Sequence, residues 1–191
     1  MVLFKQCGCS FVCVPKNGTH TLYTYMKEFG GKAIGDYHEY RSAKVPFRLP
    51  SLRYPVFMVW RDPFERAISL YKDIVVREQQ NQRLVKSPKS VLRHQYIANL
   101  CPTFDRFADL LLYSSLFGGE YLFQNQLWWY NEFKPAKVVN ISDLSDFLEE
   151  LTGRRLEKRH STSGMNVTIN PSEDSLKVLN EWAARDYSII D

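Results

Sequence analysis

Two short apolar runs, each followed by a polar loop and then by an amphipathic pattern, constrain the fold of this chain more than any other feature. Residues 10–14 form a run of β-favouring residues that Pro15 ends, and from Thr19 apolar side chains recur at helical spacing. A second run, residues 54–60, leads into residues 61–65, where an Asp, a Pro and a Glu follow the order of an N-cap, a first helical position and a capping box. Alternating apolar strands and helices predict an α/β fold with a central parallel sheet flanked by helices.

The rest of the chain continues the same alternation. Apolar periods and cap residues predict three further helices and a third core strand. The first helix runs from Thr103 to the glycines at 118 and 119, and the strand covers residues 136–141. A second helix covers residues 144–151 and ends at Gly153, and a terminal helix begins after Asn170 and Pro171. Residues 79–93 are polar and basic with no strong period, so we expect a surface loop or a frayed helix end there. Because the chain has no internal repeat, one domain over residues 1–191 is the expected organisation.

The composition is that of a globular protein with a mild positive charge. Apolar residues make up 45% of the chain, which excludes a disordered protein, and a formal net charge of +4 offers no dense basic stripe for nucleic acid. The longest uncharged stretches fall well short of the roughly 20 apolar residues of a membrane span. We therefore expect a cytoplasmic protein with neither a membrane span nor a nucleic-acid partner.

Three of the four cysteines, Cys7, Cys9 and Cys13, lie close together near the first strand. A metal cluster is one interpretation, but the spacing lacks the Cys-x-x-Cys pairs of zinc sites. Cys9 and Cys13 fall on a predicted buried strand, where a reduced cysteine acts as a small apolar residue. No metal site is predicted.

The loop between the first strand and its helix is the first candidate site, made of Pro15, Lys16, Asn17, Gly18, Thr19, His20 and Thr21. The N-terminus of a helix offers unpaired N–H groups and the positive end of its dipole, Gly18 permits close approach, and Lys16 adds a point charge. These features suit a phosphate-like anion, although an ordinary turn with a solvated lysine is compatible with the same residues. The Walker A pattern GxxxxGK[ST] is absent, which disfavours an ordinary Mg-NTP kinase.

The second candidate site follows the second strand. Arg61 stands at the predicted carboxyl edge of the sheet, where open α/β sheets bind ligands, so we expect it to share a crevice with the Lys16 loop. Ser69 lies two helical turns beyond Asp62 and can face the same anion. The alternative is that Arg61 and Arg66 are surface charges that pair with neighbouring acids.

These two motifs, Pro-Lys-x-Gly-Thr and Arg-Asp-Pro-x-x-Arg-x-x-Ser-x-Tyr, each after an apolar strand, resemble those of the sulfotransferases that use 3′-phosphoadenosine 5′-phosphosulfate (PAPS). The resemblance implies a three-layer P-loop NTPase-like fold with a central parallel sheet. It also implies that residues 15–21 cradle the 5′-phosphosulfate and that Arg61 and Ser69 hold the 3′-phosphate. Lys16 would neutralise the charge on the leaving oxygen.

Two other segments have more than one interpretation. In that family a late loop folds over the nucleotide, and a segment rich in basic and hydroxyl residues matches it here. The resemblance makes Arg159, Thr162 and Ser163 candidates for contacts to the 3′-phosphate. The alternative is that this segment is a solvated basic linker. Trp128 and Trp129 lie in an apolar segment. This setting favours a role in core packing over a role in a cleft that stacks on a sugar acceptor.

The acceptor side of such an enzyme needs a general base. In the family a His or a Glu between the two motifs takes the proton from the acceptor hydroxyl, and His38 and Glu39 are the candidates here. His38 precedes Arg61 at a spacing that resembles the Tyr-His-Gly-His segment of uronyl 2-O-sulfotransferases, with Tyr40 in place of the second His. A neutral imidazole suits this role near pH 7. The resemblance thus implies sulfuryl transfer from PAPS, without a metal, to an acceptor hydroxyl, with carbohydrate as the expected acceptor.

Two other functions stay open on the sequence. A nucleotide-dependent phosphotransferase would need Mg²⁺ and would prefer ATP over 3′-phosphorylated adenosine. A non-catalytic module that binds polyanions or a nucleotide would use the positive charge, show a steep salt dependence and turn nothing over.

Overall fold

The secondary structure alternates between strands and helices, as predicted. A computed structural model describes residues 2–4, 7–33, 54–82, 88–117, 121–155 and 167–190. The strands are β1 (Val2–Phe4), β2 (Cys9–Val12), β3 (Lys32–Ala33), β4 (Val56–Trp60) and β5 (Lys137–Asn140). The helices are α1 (Thr19–Glu28), α2 (Pro63–Tyr71), α3 (Arg77–Gln79), α4 (Pro88–Leu100), α5 (Phe104–Phe117), α6 (Gln126–Phe133), α7 (Leu144–Thr152) and α8 (Glu173–Tyr187), with a π-helical turn over Lys72–Val76 and a 3-10 turn over Tyr121–Phe123.

The described strands form one sheet in the order β3-β1-β2-β4-β5. Strands β2, β4 and β5 run parallel, with Phe11 opposite Phe57 and Val59 opposite Val139. Strand β1 pairs antiparallel with both β2 and β3. The predicted α/β class with a central parallel sheet flanked by helices is confirmed, and two short antiparallel strands extend the sheet at one edge. Strands of three and two residues are too short to show an apolar period, so the sequence did not predict β1 or β3.

By its contacts the chain divides into two compact units, each assembled from separated segments. The first unit comprises Met1–Arg61, Gln126–His160 and Ser188–Asp191, and it contains the sheet together with α1, α6 and α7. The second unit comprises Asp62–Asn125 and Ser161–Tyr187, and it contains the other helices. Because neither unit is continuous in the sequence, this division does not test the predicted single domain, which stays a prediction.

Apolar side chains from the sheet and from two helices form the core of the first unit. Phe11 from β2 and Val59 from β4 are fully buried in one cluster with Leu22 of α1 and Leu148 of α7. Aromatic contacts add to this packing, since Phe11 meets Phe57 edge-on with ring centroids 5.5 Å apart. The packing of α1 and α7 against the strands fixes the positions of the loops that precede these helices.

A buried arginine is central to the second unit. Arg66 of α2 has no exposed surface, and its guanidinium lies 5.4 Å from the centroid of the Trp182 ring. It also donates to the Leu122 carbonyl at 3.2 Å, while Trp182 of α8 donates from Nε1 to the Phe123 carbonyl at the same distance. The interpretation of Arg66 as a surface charge is therefore wrong, because its side chain is enclosed by cation–π and hydrogen-bond contacts.

The start of α2 follows the predicted cap. Oδ1 of Asp62 accepts from the backbone N–H of Glu65 at 3.0 Å, and Pro63 occupies the first turn. The other carboxylate oxygen of Asp62 accepts from the Tyr187 hydroxyl at 3.1 Å. Burial, and secondly this hydrogen bond, raise the pKa of Tyr187 to about 12, so the phenol stays protonated at neutral pH. The predicted N-cap is confirmed.

The polar segment between residues 79 and 93 differs in part from the prediction. Helix α4 begins at Pro88, so the expected loop or frayed end is wrong for the residues that form its first turns. The buried residues of α4 are His94, Ile97 and Ala98, and its first six residues include none that is buried. A helix whose first turns bury no side chain shows no apolar period there, which explains why the sequence did not reveal it.

Neither a membrane-spanning helix nor a metal-binding cluster occurs among the described residues. No helix in these segments has the length and apolar character needed to cross a bilayer. No three His, Cys, Asp or Glu side chains in the described segments come together as a metal site requires, and the four cysteines are free thiols. Burial raises the pKa of Cys9 to about 12, so its thiol stays protonated. The prediction of a site without metal stays a prediction.

Candidate anion-binding site

The loop after β2 folds into a tight turn around a buried carbonyl. The Val14 carbonyl accepts from the Asn17 backbone N–H at 3.1 Å and from the Thr19 hydroxyl at 2.8 Å. Pro15 and Lys16 occupy the two central positions of this turn, and the φ angle of Lys16 is 69°. A proline followed by a residue with positive φ is the pattern of a type II turn, in which glycine is preferred at the second of these positions. Lys16 is therefore held in a conformation that a side chain disfavours.

Gly18 is the second left-handed residue of the loop and the N-cap of α1, with φ 73° and ψ 15°. A Cβ at this position would lie 2.8 Å from Cδ2 of Leu144 on α7, so glycine is needed for the close approach as well as for the positive φ. No described side chain caps α1, and its first turn contains no acidic residue. The positive end of the helix dipole is thus not opposed by charge from that turn, which favours an anion there.

The second motif meets this loop at Arg61. Nη1 of Arg61 donates to the Lys16 carbonyl at 3.1 Å. Arg61 follows β4 and the loop follows β2, and these strands are parallel neighbours in the sheet, so their carboxyl ends lie side by side. The structure brings Lys16 and Arg61, predicted from separate motifs, together in the first unit.

Two buried side-chain amides join the loop to the end of β4. The Asn17 amide donates to the Val59 carbonyl at 2.7 Å and to Oε1 of Gln126. The same Oε1 accepts from the Arg61 backbone N–H at 3.0 Å, and Nε2 of Gln126 donates to the Arg61 carbonyl at 2.7 Å. Oδ1 of Asn17 is buried and accepts no hydrogen bond from the part of the chain that the structure describes. Sequence reasoning missed Gln126, because an amide on a distant helix gives no local signal.

The remaining residues of the first motif have different environments. Thr19 is buried, and its hydroxyl proton is used in the turn, so its side chain stabilises the loop. His20 is exposed and Thr21 is half-buried in the first turn of α1. Lys16 is half-buried.

The other predicted site residues belong either to the second unit or to segments outside the described residues. Ser69 is buried on α2, which belongs to the second unit. Five candidates lie outside the described residues: His38, Glu39, Arg159, Thr162 and Ser163. Their roles, like that of Ser69, stay predictions.

The tryptophans of α6 take part in packing within the first unit. Trp129 is 2% exposed and stacks on Phe133 with ring centroids 6.0 Å apart. Trp128 is half-buried and meets Trp129 edge-on. The core interpretation is confirmed for Trp129.

Comparison with known families bears on the functions left open by the sequence. Residues 10–181, which include both motifs, match the sulfotransferase family. The chain belongs to the sulfotransferase family. Its parallel sheet flanked by helices agrees with the P-loop-like fold of sulfotransferases, enzymes that transfer sulfate. Neither a search of curated proteins nor a search of solved structures found a match.

In a sulfotransferase, this arrangement of groups suits an anionic substrate. Lys16 and Arg61 supply two positive side chains at one carboxyl edge of the sheet, and α1 begins in the same loop. Cations and helix N-termini held in fixed positions stabilise negative charge that develops on a leaving oxygen. These groups therefore suit a bound anion.

Proposed function

We propose that this sulfotransferase transfers the sulfuryl group of PAPS to a hydroxyl of a carbohydrate. The observation that carries the proposal is the hydrogen bond from the Arg61 guanidinium to the Lys16 carbonyl. It supports a single anion site built from the two motifs that resemble those of PAPS-dependent enzymes. Membership of the family supports sulfate transfer in general, and the donor and the acceptor are the parts proposed here.

The loop fits the phosphosulfate end of this donor. The left-handed Gly18 begins α1, and the N–H groups of the first helical turn suit phosphate or sulfonate oxygens. Arg61 offers a planar fork of N–H donors, which matches a phosphate group such as the 3′-phosphate of PAPS. Further contacts to the 3′-phosphate are proposed from the sequence alone for Ser69, Arg159, Thr162 and Ser163.

In the proposed reaction, the acceptor oxygen forms a bond to sulfur while the bond from sulfur to the bridging oxygen of the 5′-phosphate breaks, through a loose in-line transition state like that of phosphoryl transfer. The proton of the acceptor hydroxyl goes to a general base. Lys16 stabilises the charge on the leaving oxygen. The products are a sulfate ester and 3′-phosphoadenosine 5′-phosphate, and the proposal includes no metal.

We assign the general base to His38, with Glu39 as the second candidate, on the strength of the sequence resemblance. The likeness of this segment to that of uronyl 2-O-sulfotransferases also supports the carbohydrate acceptor. The cytoplasmic location and the single domain over residues 1–191 stay part of the proposal and rest on the sequence alone.

Calorimetric titration tests the donor. The protein is titrated with 3′-phosphoadenosine 5′-phosphate and with adenosine 5′-monophosphate, both without metal, and with Mg-ATP. We expect tight binding of the bisphosphate, a smaller but measurable advantage over the monophosphate in Arg61→Ala, and weaker binding of both in Lys16→Ala. Equal affinity of the wild-type protein for the bisphosphate and the monophosphate would contradict the PAPS assignment, and a preference for Mg-ATP would favour a phosphotransferase.

A transfer assay tests the acceptor and the base. The protein is incubated with sulfur-labelled PAPS and either a polysaccharide that contains uronic acid or a tyrosine peptide. We expect label in the polysaccharide, and we expect His38→Ala to bind the bisphosphate normally without turnover. Label in the peptide alone would refute the carbohydrate assignment, and full activity of His38→Ala would transfer the role of base to Glu39.

A further inference from the structure

Gln126, the first residue of α6, makes hydrogen bonds both to the loop after β2 and to Arg61. Its side chain has no exposed surface. Oε1 accepts from two donors, the Arg61 backbone N–H and the Asn17 side chain, and Nε2 donates to the Arg61 carbonyl. The amide thus holds both backbone polar groups of Arg61, as a neighbouring strand would.

This pairing fixes the direction of the Arg61 side chain. Fixing the N–H and the carbonyl of one residue restricts its backbone dihedrals, and the Cβ direction follows from them. The Arg61 guanidinium then reaches the Lys16 carbonyl at 3.1 Å. The backbone position of Arg61 and the position of its charge are therefore linked through Gln126.

The same amide also fixes the loop. Asn17 follows Lys16 directly, and its side chain donates to the Val59 carbonyl at 2.7 Å as well as to Gln126. Without the Gln126 oxygen, one N–H of the buried Asn17 amide would lose its partner, which is costly inside a protein. Gln126 thus contacts both the loop and the residue after β4 with one functional group.

We infer that Gln126 is a positioning residue that sets the distance between the phosphosulfate loop and Arg61, and thereby the preference of the enzyme for a 3′-phosphorylated nucleotide. This inference rests on the proposed function. In this assignment the Gln126 side-chain amide touches neither the nucleotide nor the reacting atoms. It acts through Arg61 and Asn17.

The experiment compares Gln126→Met with Gln124→Met. Methionine keeps most of the side-chain volume and removes the amide, and Gln124 is a matched control because it is also buried and its amide donates to the Ser114 carbonyl in the second unit. The measured quantity is the ratio of the dissociation constants for adenosine 5′-monophosphate and 3′-phosphoadenosine 5′-phosphate. We expect Gln126→Met to lower this ratio about tenfold and Gln124→Met to leave it unchanged.

A double variant separates positioning from a general loss of structure. If Gln126 acts through Arg61, Gln126→Met causes no further loss of the ratio in an Arg61→Ala background, whereas independent effects add. An unchanged ratio in folded Gln126→Met, or an additive loss in the double variant, overturns the inference. A wild-type protein without preference for the 3′-phosphate overturns the proposed function instead.

A second substitution covers the case in which Gln126→Met does not fold. Gln126→Glu keeps an oxygen that accepts from the Arg61 N–H and the Asn17 amide, and it replaces the donor to the Arg61 carbonyl with a second acceptor oxygen. We expect a smaller fall in the ratio, again absent from the Arg61→Ala background. Failure of both variants to give a folded protein by circular dichroism would assign Gln126 a structural role and overturn the inference.

Discussion

Lys16 occupies a left-handed backbone position, which costs a residue with a side chain about 1 to 3 kcal/mol. We expect Lys16→Gly to raise the free energy of unfolding by about 1 kcal/mol, because glycine adopts positive φ without a clash, although it loses more backbone freedom on folding. The same variant should bind 3′-phosphoadenosine 5′-phosphate more weakly, because the positive charge is gone. Urea denaturation and calorimetry measure the two effects.

Lys16→Ala is the matched control for this prediction. It removes the same charge but keeps a Cβ at positive φ, so its stability should stay near that of the wild-type protein while binding falls as in Lys16→Gly. Nucleotide binding at wild-type strength by both variants would mean that the Lys16 charge has no part in the site. Opposite changes in stability and binding would show that function maintains the strained residue.

Gly18 and Gly153 share a left-handed conformation but differ in their surroundings. Their φ angles are 73° and 71°, yet a Cβ at Gly18 would lie 2.8 Å from Leu144, whereas a Cβ at Gly153 would have nothing within 4 Å. We expect Gly153→Ala to lower the free energy of unfolding by about 1 kcal/mol through its backbone alone, and Gly18→Ala to cost roughly 1 kcal/mol more because Leu144 must move. Urea denaturation of both variants measures the difference.

Nucleotide binding provides the second readout for these glycines. Only Gly18→Ala should weaken the binding of 3′-phosphoadenosine 5′-phosphate, since Gly153 ends α7 and Gly18 begins α1. Equal loss of stability in the two variants would show that the Leu144 side chain moves aside at no cost.

Single residues at the site could be predicted where their signal is local. Lys16 and Arg61 each combine a charge with a position directly after an apolar strand, and both features are visible in a few residues of sequence. The contact of Gln126 with Arg61 joins positions 65 apart, so only the folded chain reveals it. The left-handed conformation of Lys16 was also hidden, because lysine has no preference for positive φ.

At the scale of elements, Asp105 joins the first turns of α5 and α8 within the second unit. Its carboxylate accepts from the Ser175 hydroxyl and from the N–H and hydroxyl of Ser172. The bond from Ser175, followed by those from Ser172, lowers the pKa of Asp105 below its ordinary value of 3.8. The resulting contribution to stability is complete above that value and is lost as the pH falls through the lowered pKa.

Asp105→Asn tests this contribution. We expect the variant to be less stable than the wild-type protein at pH 7, and the difference to shrink as the pH falls below about 4, because the carboxylate of the unfolded wild-type chain is then protonated before that of the folded chain. Urea denaturation between roughly pH 7 and pH 3 follows the difference. Asp174→Asn is the control, since that exposed carboxylate pairs with Lys177 on the surface and should contribute little. A difference that does not change with pH would contradict a role for the charge.

Elements with clear cap residues or apolar runs could be predicted from the sequence. The helix α2 begins at an Asp-Pro pair, α7 ends at Gly153, and each of the three parallel strands contains adjacent apolar residues. Strand bounds were less accurate, because Val14 is apolar but its carbonyl belongs to the turn. The first turns of α4 and the strands β1 and β3 lack a buried apolar pattern long enough to detect.

For the molecule as a whole, binding of the nucleotide should stabilise the folded state. At a free concentration of 100 times Kd, a ligand that binds only the folded state stabilises it by about 2.7 kcal/mol. For a chain of this size we expect 3′-phosphoadenosine 5′-phosphate to raise Tm by roughly 5 to 10 °C, and adenosine 5′-monophosphate at the same concentration to raise it less. Differential scanning fluorimetry measures the shift.

The same thermal measurement addresses metal dependence. We expect the shift caused by the bisphosphate to be unchanged by EDTA or by added Mg²⁺, because its phosphates are held by Lys16, Arg61 and the start of α1 in the proposed site. A shift that disappears in EDTA would show that a cation takes part in binding. Arg61→Ala is the control variant, in which the shifts given by the two nucleotides should become similar.

The contacts that build the site join parts of the chain that are far apart in sequence. The bond from Arg61 to Lys16 spans 45 positions, and the bond between Asn17 and Gln126 spans 109. Closing such long loops is slow compared with the formation of a local helix, so this edge of the sheet is completed late in folding. The amide that joins the loop to Arg61 is therefore absent from a nascent chain until Gln126 has been synthesised, and the proposed nucleotide site is completed only after that point.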